Sequence, residues 1–255
     1  MLNILARLLT LSSLLMLIAV SSCSGKKEVR STDTFDPEKS LARANELIEK
    51  KDFDEARKVL LEVKNRDLSK KYAPLAQLKL ADSYYRDEEY DVAVEEYRRF
   101  LDIYPDNKYA SYAQYQIAMV YFSQIEGPER GYGAAAKALE EFERLMKLFP
   151  RNPYKEAVEI KMQQCRNIMA DYEFLVAEFY FKKGSYHSVI RRLDTILKRF
   201  PDYKKMPLVY YYMAVSLKKT GEIDKAKEYL DLIIEKYPDD RIAKEAKREL
   251  STIKQ

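Results

Sequence analysis

The chain has two cysteines, one histidine and six glycines among its 255 residues, and each scarcity closes off a class of function. The lone histidine, His187 in Lys183-Gly184-Ser185-Tyr186-His187, cannot build a metal cluster, and no nucleophile is marked by sequence beside it. It reads as a surface or capping residue where a turn enters a helix. No glycine-rich phosphate loop and no Cys-x-x-Cys pair occurs. No catalytic residue, cofactor or metal is therefore expected, and the chain does not read as an enzyme. Charge of one sign is also missing. Lys and Arg number 45 against 41 Asp and Glu, a net +4, without the clustered basic excess of a nucleic-acid binder. With few glycines, 34% charged and 47% hydrophobic residues, the chain suits amphipathic helices and not a β-rich fold. Past the N-terminal region, no apolar run is long enough to cross a membrane.

What is present begins at the N-terminus. Arg7 is the only charge before an apolar stretch from Leu8 to Val20. The stretch is too short to span a bilayer, so it reads as a secretory signal. It ends in Leu17-Ile18-Ala19-Val20-Ser21-Ser22-Cys23, which resembles the lipobox of a bacterial lipoprotein. Cleavage before Cys23 would leave that cysteine as the acylated N-terminus. Several acyl chains, each buried methylene contributing roughly 0.8 kcal/mol, would make the anchoring long-lived. Ser24 follows, where lipoproteins held in the inner membrane usually carry aspartate, so the outer membrane is favoured. With Cys23 lipidated, Cys165 has no intramolecular disulfide partner and reads as a small buried residue. Residues 1–22 are thus expected to be a signal peptide and 23–36 a lipidated flexible tether without apolar periodicity.

Beyond the tether the sequence repeats itself. Ala81, Tyr84, Ala93, Tyr97 and Pro105 stand at offsets of 3, 12, 16 and 24 from the first member. Ala177, Tyr180, Val189, Leu193 and Pro201 keep those offsets, as do Ala214, Leu217, Ala226, Leu230 and Pro238. This is the pattern of a tetratricopeptide repeat, a pair of antiparallel helices A and B. The small residues let the helices approach, the large ones fill the remaining space, and the proline lies where helix B must stop. Two units depart from it. Ala44, Leu47, Ala56 and Leu60 fit, but Leu68 replaces the proline. Ala118 and Tyr121 match Ala138, Phe142 and Pro150 only if eight residues are inserted, around Glu126–Gly133, as an exposed loop. Between Ala118 and Ala177 a further 14 residues accumulate, about four turns at 3.6 residues each. They predict a stretched helix A in the fourth unit, from Tyr154 to Lys182. Ile242 to Lys254 would cap the stack. The fold expected is all-α, a right-handed superhelical solenoid of five tetratricopeptide repeats with a C-terminal capping helix. Repeats 1–3 occupy 37–152, and repeats 4–5 with the cap occupy 153–255.

A helical solenoid presents a concave face built mostly from its A helices. On repeats two and three that face is expected to include Leu78, Asp82, Tyr85, Tyr112, Tyr115, Met119 and Phe122. Aromatics and methionine there suit an extended, partly apolar peptide, and as a cluster they form the candidate site for a client peptide. For any single aromatic, core packing is an equal alternative.

The anchor, the five units, the insertion in the third and the stretched helix in the fourth together resemble the BamD family, lipoproteins of the outer-membrane β-barrel assembly machinery. The resemblance is densest where Arg166-Asn167 and Ala170-Asp171-Tyr172-Glu173 precede Val176-Ala177-Glu178-Phe179-Tyr180. Lys183-Gly184-Ser185-Tyr186 and Arg199-Phe200-Pro201-Asp202 continue it, and Tyr72-Ala73 through Pro105 also matches. The resemblance implies a non-catalytic scaffold on the periplasmic face of the outer membrane of a Gram-negative bacterium. It implies unfolded outer-membrane proteins at the N-terminal repeats, about 40 to 125. It also implies the barrel subunit BamA at the C-terminal repeats, about 154 to 240, with accessory lipoproteins in some bacteria. The rival readings are a repeat lipoprotein that serves as an adaptor for cell-wall hydrolases or as a pilotin for secretin assembly.

Overall fold

The computed structural model describes residues 35–253; the signal sequence, Cys23 and most of the expected tether lie outside these residues. Among the described residues there are eleven α-helices, one 3-10 turn and no strand. The first repeat pairs α1 (Pro37–Glu49) with α2 (Phe53–Arg66), and the second pairs α3 (Ala73–Arg86) with α4 (Tyr90–Ile103). In the third, α5 (Ala110–Ser123) and α6 (Gly133–Leu148) flank the 3-10 turn Pro128–Arg130. The fourth pairs α7 (Lys155–Lys182) with α8 (Tyr186–Arg199), and the fifth pairs α9 (Met206–Thr220) with α10 (Ile223–Lys236). The last helix, α11 (Arg241–Ile253), packs on α10 and reaches α9. Each helix packs on the next along the chain, so the molecule is a stack of helix pairs. No described helix is long and apolar enough to cross a membrane.

The spacing of small residues explains the stacking. Ala44, Ala81, Ala118, Ala177 and Ala214 are all essentially inaccessible, as are Ala56, Ala93, Ala138, Val189 and Ala226 on the B helices. Leu60, Tyr97, Phe142, Leu193 and Leu230 are fully buried one turn further on. Truncating any of these leucines to alanine would cost about 2–5 kcal/mol, the usual range for a core cavity.

The turns from A to B share one geometry. Seven residues past the packing alanine the backbone turns left-handed, at Lys51 (φ 61°), Glu88 (φ 63°), Gly184 (φ 73°) and Gly221 (φ 90°). The next amide donates back to the carbonyl five residues earlier: Asp52 to Leu47, Glu89 to Tyr84, Ser185 to Tyr180 and Glu222 to Leu217, each at 2.9–3.0 Å. This is the Schellman closure of a helix, for which glycine is the unstrained choice.

Two irregularities behave as their physics requires. Leu68 is 95% exposed, and the preceding Asp67 supplies the missing stop. Its carboxylate accepts from the Ser69 amide at 3.1 Å, the Tyr72 amide and the Ala73 amide at 2.9 Å, capping α3 across the junction. Burial works against that charge, but the bonds from Ser69, Tyr72 and Ala73 hold the carboxyl below its ordinary value. The expected loop in the third repeat is exposed at Glu126, Gly127, Glu129 and Arg130, yet it is not free: its 3-10 turn lies against α7.

Polar residues also join helices, within a repeat and between repeats. Gln77 donates to the Glu96 carboxylate at 2.6 Å and backbone at 3.1 Å, and Gln114 does the same to Glu141 at 2.8 and 3.2 Å. All four residues are buried, so each clasp is satisfied where an unpaired group would cost about 1–3 kcal/mol. Arg57, 7% exposed, reaches Ser83, Asp87 and Glu89 of the next repeat and lies 4.0 Å from the Tyr84 ring centre.

Candidate functional site

The A helices of the first three repeats line a groove of about 350 Å³. α1 contributes Asn45, Ile48 and Glu49; α3 contributes Lys79, Asp82, Tyr85 and Arg86; α5 contributes Tyr112 and Gln116. The register is that of the repeat. Asn45 and Asp82 each follow the packing alanine, Ile48 and Tyr85 come a turn later, and Glu49 and Arg86 come next. One face of each helix therefore points into one trough.

Asp82 anchors the trough. Its Oδ1 accepts the hydroxyl of the fully buried Tyr97 from α4 and that of Tyr112 at 2.9 Å from α5. Burial pushes the Asp82 carboxyl above its usual range; the two hydroxyls, then Lys79 and Arg86, pull the other way without prevailing. Burial, followed by the nearby Asp82 charge, pushes both tyrosine hydroxyls well above the ordinary phenol value. At the rim Arg86 holds Glu49 at 2.6 Å and lowers that carboxyl, linking repeats one and two. Such an exposed pair fixes orientation more than it adds stability. The trough thus offers a carboxylate, the amides of Asn45 and Gln116, two tyrosines and the apolar Ile48. These groups can accept backbone N–H groups of an extended chain and pack its larger side chains.

The expected site residues do not all meet. Asp82, Tyr85 and Tyr112 converge in the trough. Leu78 does not: it is 2% exposed and packs with Val94 and Tyr97. Its position, three before the packing alanine, faces the repeat's own B helix, and Leu41 at the same position of the first repeat is buried too. Tyr115 occupies that position in the third repeat; it is half-buried and stacks on Tyr154 with centroids 4.4 Å apart. Met119 is half-buried against the core of the third and fourth repeats. Phe122 lies in a separate cleft with Ile125, Gln164, Asn167, Ile168 and Lys204, its ring under the Lys161 ammonium at 4.4 Å. Asn45, Ile48 and Glu49 were not singled out from the sequence, although carrying the register of Asp82, Tyr85 and Arg86 back to Ala44 finds them. His187 is exposed at the start of α8. Cys165 is fully buried, which pushes its thiol up to about 11. Among the described residues no cluster of His, Cys, Asp and Glu could hold a metal ion.

Comparison with known proteins gives a consistent picture. The YfiO family, described as "Outer membrane lipoprotein", matches residues 35–232. Outer membrane protein assembly factor BamD of Caulobacter vibrioides is 22% identical over 235 residues, covering 91% of this chain and 77% of that protein. The protein of the same name from Rickettsia prowazekii is 24% identical, covering 91% and 92%. That of Neisseria meningitidis serogroup A is 24% identical, covering 80% and 82%. Among solved structures, the TPR2AB domain of yeast Sti1 in complex with an Hsp90 peptide aligns over 85% of this chain and 82% of its own, at 17% identity and a TM-score of 0.47.

Proposed function

The chain belongs to the YfiO family of outer membrane lipoproteins, and from that membership we propose that it is a non-catalytic scaffold of the outer-membrane β-barrel assembly machinery. The observation that carries this reading is the match, along most of the chain, to relatives named outer membrane protein assembly factor BamD. In this reading the lipid on Cys23 holds the solenoid at the periplasmic face of the outer membrane. Tethering raises its effective concentration beside the barrel subunit. The trough of repeats one to three captures an extended segment of an unfolded outer-membrane protein, and residues from about 154 to 240 dock onto the BamA-like subunit. Asp82, Tyr85 and Tyr112 are the groups assigned to the client peptide, with Asn45, Ile48 and Gln116 beside them. Support for capture comes from the composition of the trough, which pairs a carboxylate and amides with aromatic faces.

The test is affinity purification of the tagged full-length protein from gently solubilised membranes, with co-purifying proteins identified by mass spectrometry. A stoichiometric barrel subunit is the expected result. A secretin or a cell-wall hydrolase in its place would overturn the assignment and leave the fold untouched.

A further inference from the structure

In three of the four junctions between repeats, the same line on helix A is covered by the preceding helix B. Two residues past the packing alanine stand Ser83, Val120 and Ser216, each with no accessible surface. They lie where α2 packs on α3, α4 on α5 and α8 on α9. The covering helices bring Arg57, Val94 and Ile190 at one equivalent position, one past Ala56, Ala93 and Val189. In the fourth repeat the counterpart of Ser83 is Phe179, and it is 57% exposed.

The stretched helix explains the difference. The preceding helix α6 packs on the N-terminal half of α7: Glu143 pairs with Arg166 at 3.2 Å, and Val158 and Cys165 join Phe142 and Leu145 in one cluster. Cys165 stands 14 residues before Phe179, the length of the extension, and takes the covered place. The packing half of the fourth repeat has slid four turns out from under its neighbour. What remains open is a cleft of about 430 Å³ lined by Tyr172, Leu175, Val176, Phe179 and Tyr180, with Glu129, Glu178 and Lys182 at its edge and the Lys183 ammonium 5.8 Å from the Phe179 ring centre. The 3-10 turn Pro128–Arg130 closes one end, where the Tyr132 ring meets Tyr172 edge-on at 5.0 Å. Scattered exposed apolar residues need no explanation; this patch is different because the repeat itself specifies a helix over it.

We propose that the open face of α7 takes an amphipathic α-helix from a partner protein, in the place that the chain's own B helix fills in the other repeats. The partner helix presents an aliphatic residue to Phe179, as Val94 and Ile190 are presented elsewhere, and flanks it with charges of both signs, basic toward Glu129 and Glu178 and acidic toward Lys182 and Lys183. Helix-in-groove recognition of this kind reads anchors spaced three and four residues apart.

The probe is a fluorescent peptide of residues 185–200, the sequence of α8, which already covers the equivalent line on α9 and carries Arg191, Arg192, Lys198 and Arg199 against Asp194. Titrated with the full-length protein, it is expected to bind saturably and to gain helical circular dichroism. Phe179→Glu and Leu175→Glu, both at exposed positions, should retain native melting and weaken binding at least tenfold, while Leu68→Glu, at a fully exposed position outside both the trough and the cleft, leaves it unchanged. Equal binding by the Phe179→Glu protein, or by a scrambled peptide of the same composition, would overturn the proposal. So would sedimentation showing that a second copy of this chain occupies the face. None of these failures touches the co-purification result on which the assembly role depends.

Discussion

Asp82 in the N-terminal trough and Asp171 on the long helix both accept tyrosine hydroxyls, yet their carboxyls move in opposite directions. Asp171 takes Tyr203 at 2.7 Å, Lys205 at 2.7 Å and Lys204 at 3.1 Å; burial alone would raise it, but these partners outweigh burial and hold it low. Asp82 has two tyrosines and only distant cations, and burial prevails. The turns differ in the same sense. The C-terminal repeats place Gly184 and Gly221 at the left-handed position, whereas the N-terminal repeats force Lys51 and Glu88 into it. Strain and poorly compensated charge therefore collect in the half that carries the trough. Such collections are typical of sites kept for binding, where local stability is given up.

The largest effect that would sharpen the contrast is expected from Asp171→Leu. It orphans the hydroxyl of Tyr203, which is 3% exposed, and should lower unfolding free energy by about 1–3 kcal/mol in urea titration. Asp82→Asn should cost less stability but weaken capture of a C-terminal outer-membrane-protein peptide about tenfold, a difference of about 1.4 kcal/mol. Unchanged peptide affinity in the folded variant would remove Asp82 from the site. Third, Glu88→Gly should raise stability by about 1 kcal/mol by relieving the left-handed strain, and Gly221→Ala should lower it by a similar amount. If the two thermal shifts share a sign, the comparison of turns fails. The smallest effect concerns pH. A raised carboxyl binds its proton more tightly folded than unfolded, so the Asp82 contribution to stability improves as pH falls from neutral toward its unfolded value near ~4. The lowered Asp171 carboxyl contributes fully above that value and loses its contribution as pH drops through the folded one. Stability differences between wild type and Asp82→Asn should vary as pH falls from neutral toward the unfolded value, while those for Asp171→Asn hold constant until pH falls below it.

Much of this was legible because the repeat is a periodic constraint on size. Small residues at Ala44, Ala81 and their counterparts can be read as close contacts, and the 14-residue surplus had no outlet except a longer helix. Asp82 and Tyr85 followed from the same register, one and four residues past Ala81, whereas Met119 and Phe122, which keep it in the third repeat, lie outside the trough and Tyr112 stands there instead. Leu78 was misplaced because hydrophobicity does not distinguish a residue facing its own B helix from one facing the trough. The Gln77–Glu96 and Gln114–Glu141 clasps were not legible, since polar residues count as solvated until a partner within the core is known. Nor could the sequence indicate that Asp67 does the work of a missing proline, because its three backbone donors are assembled only by the fold.

The long helix has one more consequence. Stacks of repeats ordinarily unfold piecemeal, each unit leaning only on its neighbours. A helix of 28 residues, about 42 Å at 1.5 Å per residue, serves the third repeat with one half and the fourth with the other. Neither half of the stack can melt past it without breaking a continuous run of backbone hydrogen bonds. It acts as a rivet, and amide exchange should report the slowest opening in the molecule at its middle, around Cys165 to Phe174, with protection declining toward both ends of the chain.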